Sequence, residues 1–327
     1  MADPRVYNMD YFTDKTYSSI TPTLSLSLNR LKRPFTVCVI GASGAIGAGV
    51  ARSYALAGCS DLILAGRNLE ALKAVSKDIV SENDNSSEEQ PRTHVQHCDI
   101  ASPDSVQTLS EFISSSFSAL DCVVLVSGIS GPVELRITDG SPTDNEWAQV
   151  FNTNALGTYH VSHYFIPLLL KSETRSFLVV GSIAACITKG PIANTKYCVS
   201  KLAQARIVEC VAEQFGAKGL LAVSVHPGAV GSENALKTAP REFIKCMSKF
   251  GLVTGFMLIV VADLTDDPNL CGAFCVWLSR DTSRFSWLNG RLVSATWDPE
   301  ELLARKDYVV MGDLFKFEAR TNLNLDI

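Results

Sequence analysis

Basic clusters are absent from this 327-residue sequence, in which 29 Lys and Arg residues are outnumbered by 34 Asp and Glu residues. The net charge of −5 provides no electrostatic attraction for nucleic acid or for an anionic membrane surface. We therefore expect no nucleic-acid partner, and we interpret the charged residues as a solvated surface.

A membrane-spanning segment is absent as well. The longest apolar run, residues 252–262, is interrupted by polar and small residues and is too short to cross a bilayer. The first 31 residues have no apolar core of signal-peptide length, and their three aspartates argue against a secretory or mitochondrial signal. The sequence thus predicts a cytoplasmic protein with no membrane span.

Clustered metal ligands are the third absence. The ten cysteines are scattered, and although Cys271 and Cys275 lie one helical turn apart, no further His or Cys pair completes a zinc set. Without an export signal we interpret the cysteines as reduced thiols, and we predict no metal site.

What is present is an alternation of short apolar runs and helical patterns that begins near Phe35. With 46% apolar residues, the chain can bury one large core. Continuous apolar strands alternating with helices predict parallel βαβ units, so the expected fold class is α/β with a doubly wound parallel sheet. The predicted strands are Thr36–Ile40, Leu62–Ala65, His94–Cys98, Cys122–Val126, Phe177–Val180, Leu221–Val225 and Arg291–Ala295.

The predicted helices are Ala45–Ala57, Asn68–Ser81, Ser102–Ser116, Glu146–Leu170, Tyr197–Phe215 and Asn269–Ser279. We expect one domain over residues 35–297, in which 81–92 form an exposed polar loop and 232–262 a substrate lid. Residues 1–34 are interpreted as an N-terminal extension that lies over the surface or is partly disordered. Residues 298–327 are interpreted as a charged C-terminal extension.

A glycine-rich turn, Gly41-Ala-Ser-Gly44-Ala-Ile-Gly47, links the first strand to the first helix. Glycines allow a tight turn and let the backbone approach a pyrophosphate, and the helix N-terminus offers free N–H groups. The order of strand, turn and helix therefore predicts dinucleotide binding. The predicted contacts in this turn are Gly41, Ser43, Gly44, Ile46 and Gly47.

The end of the second strand bears on the choice of cofactor. NAD binding uses an acidic side chain here, but the sequence has Gly66 followed by Arg67 and Asn68. Because a guanidinium fits a 2′-phosphate and the acidic residue is missing, Arg67 and Asn68 are predicted to bind NADP(H); the alternative is that Arg67 is a solvated loop residue. Asp99, followed by Ile100, is predicted to accept from the adenine amino group or to serve as a turn or N-cap residue.

Tyr197 and Lys201 are four residues apart, on one face of a predicted helix. A nearby ammonium favours the phenolate, so Lys201 is expected to lower the pKa of Tyr197 towards working pH and allow proton exchange with a substrate oxygen. Ser182 could hydrogen-bond that same oxygen, or it could be a helix cap. Asn154 could hold a water that relays protons through Lys201, or it could bond to backbone.

The sixth strand ends in His226-Pro-Gly-Ala-Val-Gly-Ser232. Pro227 and Gly228 are predicted to form a turn beneath the nicotinamide. The backbone N–H near Val230 and the hydroxyl of Ser232 are predicted to bind its carboxamide, and His226 is interpreted as structural.

Taken together, the glycine-rich turn, Asp99, Asn154, Ser182, Tyr197/Lys201 and the Pro227-Gly228 turn resemble the short-chain dehydrogenase/reductase family, over about residues 35–295. The resemblance implies a Rossmann fold and NAD(P)(H)-dependent oxidoreduction, with Asn154, Ser182, Tyr197 and Lys201 as the catalytic tetrad. It also implies a homodimer or homotetramer through the two long helices, unless the terminal extensions cover them. The N-terminal extension and residues 287–297 look like those of members from filamentous fungi, which suggests secondary metabolism.

Four features depart from that family's pattern. Ala45 replaces the middle glycine of the turn, and Ile40 replaces a threonine. Leu125-Val126-Ser127-Gly128 stands where the family has Asn-Asn-Ala-Gly, so only Gly128 of that motif is retained as a predicted cofactor contact. Fifteen residues separate Ser182 from Tyr197, which is longer than the family norm and requires the loop to bulge.

The substrate pocket is expected to come from residues 232–262, completed by 129–135 and 183–192. Their apolar side chains suit an apolar ketone or aldehyde, but they are equally interpretable as core or subunit contacts. Three hypotheses follow: an NADPH-dependent ketoreductase or alcohol dehydrogenase acting on a hydrophobic small molecule, a cyclase or isomerase of the same fold, and a non-catalytic dinucleotide-binding regulator.

Overall fold

The structure, a computed structural model, describes residues 12–83, 90–189, 193–231 and 266–318. These residues contain a seven-stranded parallel sheet of order β3-β2-β1-β4-β5-β6-β7, which confirms the predicted doubly wound α/β fold. The strands are β1 (Thr36–Ile40), β2 (Asp61–Gly66), β3 (Arg92–His97), β4 (Cys122–Leu125), β5 (Ser176–Val180), β6 (Leu221–His226) and β7 (Leu292–Ser294).

Helices cover both faces of the sheet. The helices are α1 (Ala45–Leu56), α2 (Leu69–Asn83), α3 (Pro103–Ser116), α4 (Glu146–Phe151), α5 (Gly157–Leu169), α6 (Thr195–Phe215), α7 (Pro268–Ser279), α8 (Pro299–Ala304) and α9 (Lys306–Met311). One apolar cluster joins the sheet to α1, α2 and α7, and a second joins it to α3, α5 and α6. Because both faces are covered, β1, β2, β4 and β5 are buried along their whole length, as their continuous apolar sequences require.

The helix predicted over Glu146–Leu170 is interrupted. A π-turn, Asn152–Leu156, separates α4 from α5, and the backbone N–H of Gly157 bonds to the carbonyl of Asn152. A π-turn inserts one residue into the helical repeat, so it redirects the side chains around it. It places Asn154 in the protein interior.

Two element boundaries also differ from the predictions. α2 continues to Asn83 and β3 starts at Arg92, so the predicted polar loop is shorter at both ends, and 84–89 lie outside the described residues. Arg92 belongs to the sheet because its backbone N–H bonds to Ser60 and its guanidinium forms two hydrogen bonds, of 2.9 and 2.7 Å, with Asp61. The predicted lid, 232–262, also lies outside the described residues.

α1 and α7 pack unusually closely because glycines face the contact. A Cβ at Gly49 would overlap the carbonyl oxygen of Pro268, and one at Gly272 would overlap the hydroxyl of Ser53. This contact ties α7 to the helix that follows the glycine-rich turn.

The described part of the N-terminal extension packs against the C-terminal one. The Phe12 ring lies 5.0 Å from the Trp297 ring and 4.7 Å from the Phe315 ring, and the N–H of Tyr17 donates to Thr296. Leu24 and Leu31 are buried. Residues 12–34 are therefore part of the packed structure. No helix among the described residues is long and apolar enough to cross a membrane.

Candidate active site and dinucleotide cleft

The turn after β1 is built for close backbone contacts. Gly41 has φ of +97°, and a Cβ there would lie 2.6 Å from the backbone nitrogen of Ser127. A Cβ at Gly47 would overlap the Gly41 carbonyl oxygen. Gly44 is the N-cap of α1 and contributes no side-chain cap, so the N–H groups of the first helical turn are available to an anion. The turn therefore fits a pyrophosphate.

Two departures from the family pattern have structural explanations here. Ala45 takes the first helical position, where glycine is not sterically required, and the close approach depends on Gly41 and Gly47. The segment after β4 is braced by its backbone, because the N–H groups of Val126 and Ser127 donate to Ile40, at 2.8 and 3.0 Å. The absent asparagine side chains are not needed for that contact.

The end of β2 faces the glycine-rich turn. A Cβ at Gly66 would lie 3.7 Å from the side chain of Leu72 and 3.8 Å from the hydroxyl of Ser43, so this position adjoins the predicted adenosine site. Arg67 is exposed beside it. Asn68 Oδ1 accepts from the N–H of Ala71 at 3.1 Å, so Asn68 caps α2.

Asp99 and Ile100 follow β3. Asp99 Oδ1 accepts from the N–H of Ala101 at 3.0 Å, so Asp99 is a turn residue, and its second oxygen still permits the adenine contact. The Ile100 side chain is buried, and a Cβ at Gly157 would lie 2.8 Å from it. A contact between Ile100 and a dinucleotide would therefore have to use the backbone of Ile100.

Ser182, Tyr197 and Lys201 meet at the carboxyl end of β5. Lys201 Nζ lies 5.8 Å from the centroid of the Tyr197 ring and donates to the Val180 carbonyl at 3.0 Å. The Ser182 hydroxyl acts on the Tyr197 phenol and lowers its pKa, and Ser182 Oγ accepts from the N–H of Ala184 at 3.1 Å. A 3-10 turn, Ile183–Cys186, takes up part of the longer spacing. Ser182 can thus cap the 3-10 turn and still hydrogen-bond a substrate oxygen.

The electrostatics of the pair differ from the expectation. Burial raises the pKa of Tyr197, and the hydrogen bond with Ser182 opposes that rise. Burial also lowers the pKa of Lys201 to about 7. The predicted lowering of the phenol's pKa is wrong for this arrangement, because Lys201 is itself desolvated and, within the described part of the chain, bonds to the neutral acceptors Val180 and Gln204. The arrangement favours a protonated phenol.

Asn154 is fully buried in the π-turn. Its side-chain amide accepts from the N–H of Ile129 at 2.9 Å, and donates to the Ile129 carbonyl at 2.8 Å and to Ser200 Oγ at 2.9 Å. A Cβ at Gly128 would lie 3.2 Å from Asn154 Oδ1 and 3.4 Å from Lys201 Nζ. The side chain of Asn154 therefore bonds to backbone, as the second interpretation expected. It holds the segment after β4 beside Lys201.

The sequence reasoning overlooked Gln204. Its side chain bridges Lys201 and the backbone carbonyl of Asn154, the two residues that a water held by the Asn154 side chain was predicted to connect. A signal was present: residues 201, 204, 205, 208 and 212 fall on one face of α6, and a glutamine on a buried stripe that is apolar apart from Lys201 needs an internal partner.

The turn after β6 closes the cleft. Gly228 has φ of +92°, and the N–H of Ala229 donates to Asp266 Oδ2 at 2.5 Å. Asp266, also overlooked, thereby fixes the Pro227-Gly228 turn. Burial, followed by the charge of Lys201, lowers the pKa of His226 to about 4, so His226 is neutral, in keeping with a structural role. Val230 is buried, whereas Ser232 lies outside the described residues.

Two features surround Tyr197. A small apolar cluster packs against its ring; its members are Ile183, Ala184, Ile187, Ala193 and Cys198. At the start of α6, the fully buried Lys196 forms an ion pair with Glu134, at 3.1 Å, and with Glu146. This ion pair anchors the segment after β4 over the beginning of α6, the helix that carries Tyr197.

The model of the family described as short chain dehydrogenase matches residues 35–242. The chain belongs to the short-chain dehydrogenase family. It is 30% identical over 313 residues to the short chain dehydrogenase pgmD of Aspergillus terreus, covering 94% of this chain and 93% of that protein. It is also 30% identical to the short chain dehydrogenase mpl6 of Monascus purpureus, covering 92% of this chain and 94% of that protein.

Solved structures share the fold. One is a 7α-hydroxysteroid dehydrogenase complexed with NADH and 7-oxo glycochenodeoxycholic acid, with a TM-score of 0.66, 22% identity, and coverage of 82% of this chain and 94% of that one. Another is a short chain dehydrogenase from Shigella flexneri complexed with NADP, with a TM-score of 0.63, 24% identity, and coverage of 82% and 98%. The short-chain dehydrogenase is thus an oxidoreductase acting on CH–OH or C=O groups with a nicotinamide dinucleotide.

Proposed function

We propose that this protein is an NADPH-dependent ketoreductase or alcohol dehydrogenase that acts on a hydrophobic small molecule. The observation that carries the proposal is the meeting of Ser182, Tyr197 and Lys201 at the carboxyl edge of the sheet. The glycine-rich turn after β1 and the Pro227-Gly228 turn after β6 lie at the same edge. In doubly wound sheets this edge is where dinucleotides bind.

The residues divide the chemistry among themselves. Reduced nicotinamide, when bound, supplies the hydride to the carbonyl carbon. Tyr197 donates its phenolic proton to the carbonyl oxygen, and Ser182 hydrogen-bonds that oxygen as negative charge develops. Because burial raises the pKa of Tyr197, the phenol holds its proton until transfer, which suits reduction. Among the described residues, Lys201 donates two N–H groups, to Val180 and Gln204, and the third is proposed to meet the dinucleotide.

Arg67 supports the choice of NADPH over NADH. The Arg67→Ala variant is expected to bind NADPH about 10–100-fold more weakly, because a charge-assisted contact to the 2′-phosphate is lost. Binding of NADH should be nearly unchanged. Dissociation constants for both cofactors check this, with Arg284→Ala, an exposed arginine after α7, as the charge-matched control. An equal loss for NADH and NADPH would contradict the assignment.

The substrate is proposed to be apolar. The described wall beside Tyr197 is the apolar cluster around Ile183 and Ile187. The similarity to fungal short chain dehydrogenases motivates a role in secondary metabolism. Exposed apolar side chains on the π-turn, α5 and α6, including Leu156, Tyr159 and Val199, support a homodimer or homotetramer.

A ketone panel tests the proposal. The wild type is expected to oxidise NADPH with at least one apolar ketone or aldehyde, followed by the absorbance of the reduced nicotinamide. If NADPH binds but no carbonyl compound changes its redox state, a cyclase, an isomerase or a regulator is favoured instead. If no dinucleotide binds, the ketoreductase, the cyclase or isomerase with a bound cofactor, and the dinucleotide-binding regulator all fail.

NADPH binding is expected to depend on pH through Lys201. The anionic cofactor favours the protonated ammonium, whose pKa in the free protein is about 7. Binding should therefore take up a proton, and the dissociation constant should rise by up to about tenfold per pH unit above that value. Titrations across this range check it. Lys201→Met should remove this rise of the dissociation constant, the alkaline limb of the pH profile, and leave only the titration of the 2′-phosphate of NADPH. An unaltered pH profile would remove Lys201 from the cofactor site.

A further inference from the structure

Gln204 links three groups of the candidate active site. It is fully buried on α6, one turn after Lys201. Its Oε1 accepts from Lys201 Nζ at 2.7 Å. Its Nε2 donates to the backbone carbonyl of Asn154 at 3.2 Å and to Thr158 Oγ1 at 2.8 Å. Every polar atom of this side chain is therefore engaged within the site.

The orientation of the Gln204 amide is fixed by its partners. An ammonium only donates and a backbone carbonyl only accepts, so the amide oxygen must face Lys201 and the amide nitrogen must face Asn154. Thr158 Oγ1 also donates to the Asn154 carbonyl, at 2.7 Å. The arrangement is fully satisfied, and such a buried network holds its members in one geometry.

This geometry leaves no direct water bridge between Asn154 and Lys201 at this point. Gln204 spans the gap between the Asn154 carbonyl and the Lys201 ammonium, whereas the sequence predicted that a water held by the Asn154 side chain would connect these two residues. A primary amide hydrogen-bonds on both sides, but unlike water or a hydroxyl it does not readily accept a proton on one side and release another.

We propose that Gln204 is a positioning residue that holds Lys201 in place of a relay water, so that Tyr197 is reprotonated by water at its own hydroxyl and not through Lys201. This inference rests on the proposed function. In reduction, the Tyr197 O–H bond breaks as its proton passes to the substrate oxygen, leaving a phenolate. The phenolate then takes a proton from a water in the cleft, and the resulting hydroxide is neutralised by buffer.

Few charged groups surround Lys201. Among the described residues, the titratable groups that face it are Tyr197 on its own helix and His226 at the end of β6, and His226 is neutral. β5 offers the Val180 carbonyl, and the π-turn offers the amide and carbonyl of Asn154. The neutral amide of Gln204 therefore leaves the ammonium without a carboxylate, and changing that amide changes the charge balance directly.

The test compares Gln204→Glu with Gln204→Met in titrations of NADPH binding against pH. Gln204→Glu, which keeps the size and adds a carboxylate beside Lys201, should move the pH limb of NADPH binding upward by about 1–3 units. Gln204→Met removes the acceptor and the donor, and should weaken NADPH binding and lower kcat. Gln214→Glu, the same change at an exposed position of α6, should keep the wild-type limb.

Each outcome has a defined meaning. An unmoved limb in Gln204→Glu, alongside a wild type whose limb is present, overturns the role of Gln204 and leaves the proposed function standing. Wild-type kcat and pH profile in a folded Gln204→Met also overturn it. If Gln204→Met fails to fold, as judged by thermal unfolding, Gln204→Glu decides. A wild type that binds no NADPH overturns the proposed function and this inference with it.

Discussion

Tyr197→Phe is expected to lower kcat for carbonyl reduction by about 10²–10⁴-fold, the usual contribution of a positioned general acid. The phenylalanine keeps the ring that lies against Lys201 and the apolar cluster, and it removes only the phenolic hydroxyl. NADPH binding should therefore be retained. Steady-state rates and cofactor dissociation constants for the two proteins measure both effects.

Tyr164→Phe is the matched control for this variant. Tyr164 lies on α5, and its hydroxyl donates to Gln107 Oε1 of α3 at 3.3 Å, away from Ser182 and Lys201. It should keep the wild-type rate. A Tyr197→Phe variant within tenfold of the wild type would show that the phenol is not the proton donor.

Gly47→Ala is expected to disable the dinucleotide turn. The added Cβ would overlap the carbonyl group of Gly41 and would lie 2.9 Å from the Cα of Ala42, and neither backbone atom can move without displacing the turn. Overpacking of this kind costs about 1–3 kcal/mol of stability. The displaced turn should also lose at least about tenfold in NADPH affinity, because the N–H groups at the start of α1 no longer converge.

Gly44→Ala provides the comparison within the same turn. Gly44 has φ of −79°, and a Cβ there would meet the Gly41 carbonyl oxygen at an ordinary 3.7 Å. Its free energy of unfolding should therefore fall less than that of Gly47→Ala. Denaturant unfolding and cofactor titration of the two variants check this; equal losses would mean that steric closure at Gly47 does not shape the turn.

The sheet was predictable because its signal is local. The strand segments Val37–Ile40 and Leu62–Ala65 are buried on both faces of the sheet, so every residue in them is apolar and the run is visible in the sequence. The π-turn was not predictable, because one inserted residue barely changes the apolar periodicity of a helix that continues through it. Its consequence, the inward position of Asn154, required the structure.

The site was predictable where chemistry depends on spacing within one element. Tyr197 and Lys201 lie on one helix, so four residues of spacing already place them together. Contacts between segments that are distant in the sequence produce no such spacing pattern. The hydrogen bond from Ala229 to Asp266 and the packing of Phe12 on Trp297 join residues far apart in the sequence. The pKa shifts of Tyr197 and Lys201 likewise depend on burial, which spacing does not report.

Transfer of hydride across this cleft is most directly measured with NADPH deuterated at the transferring carbon of its nicotinamide. With a carbonyl compound that the wild type turns over, mass spectrometry of the product should show one deuterium on the new carbinol carbon, with NADP⁺ formed in equal amount. Product without that label, or turnover with the cofactor still reduced, would contradict the account.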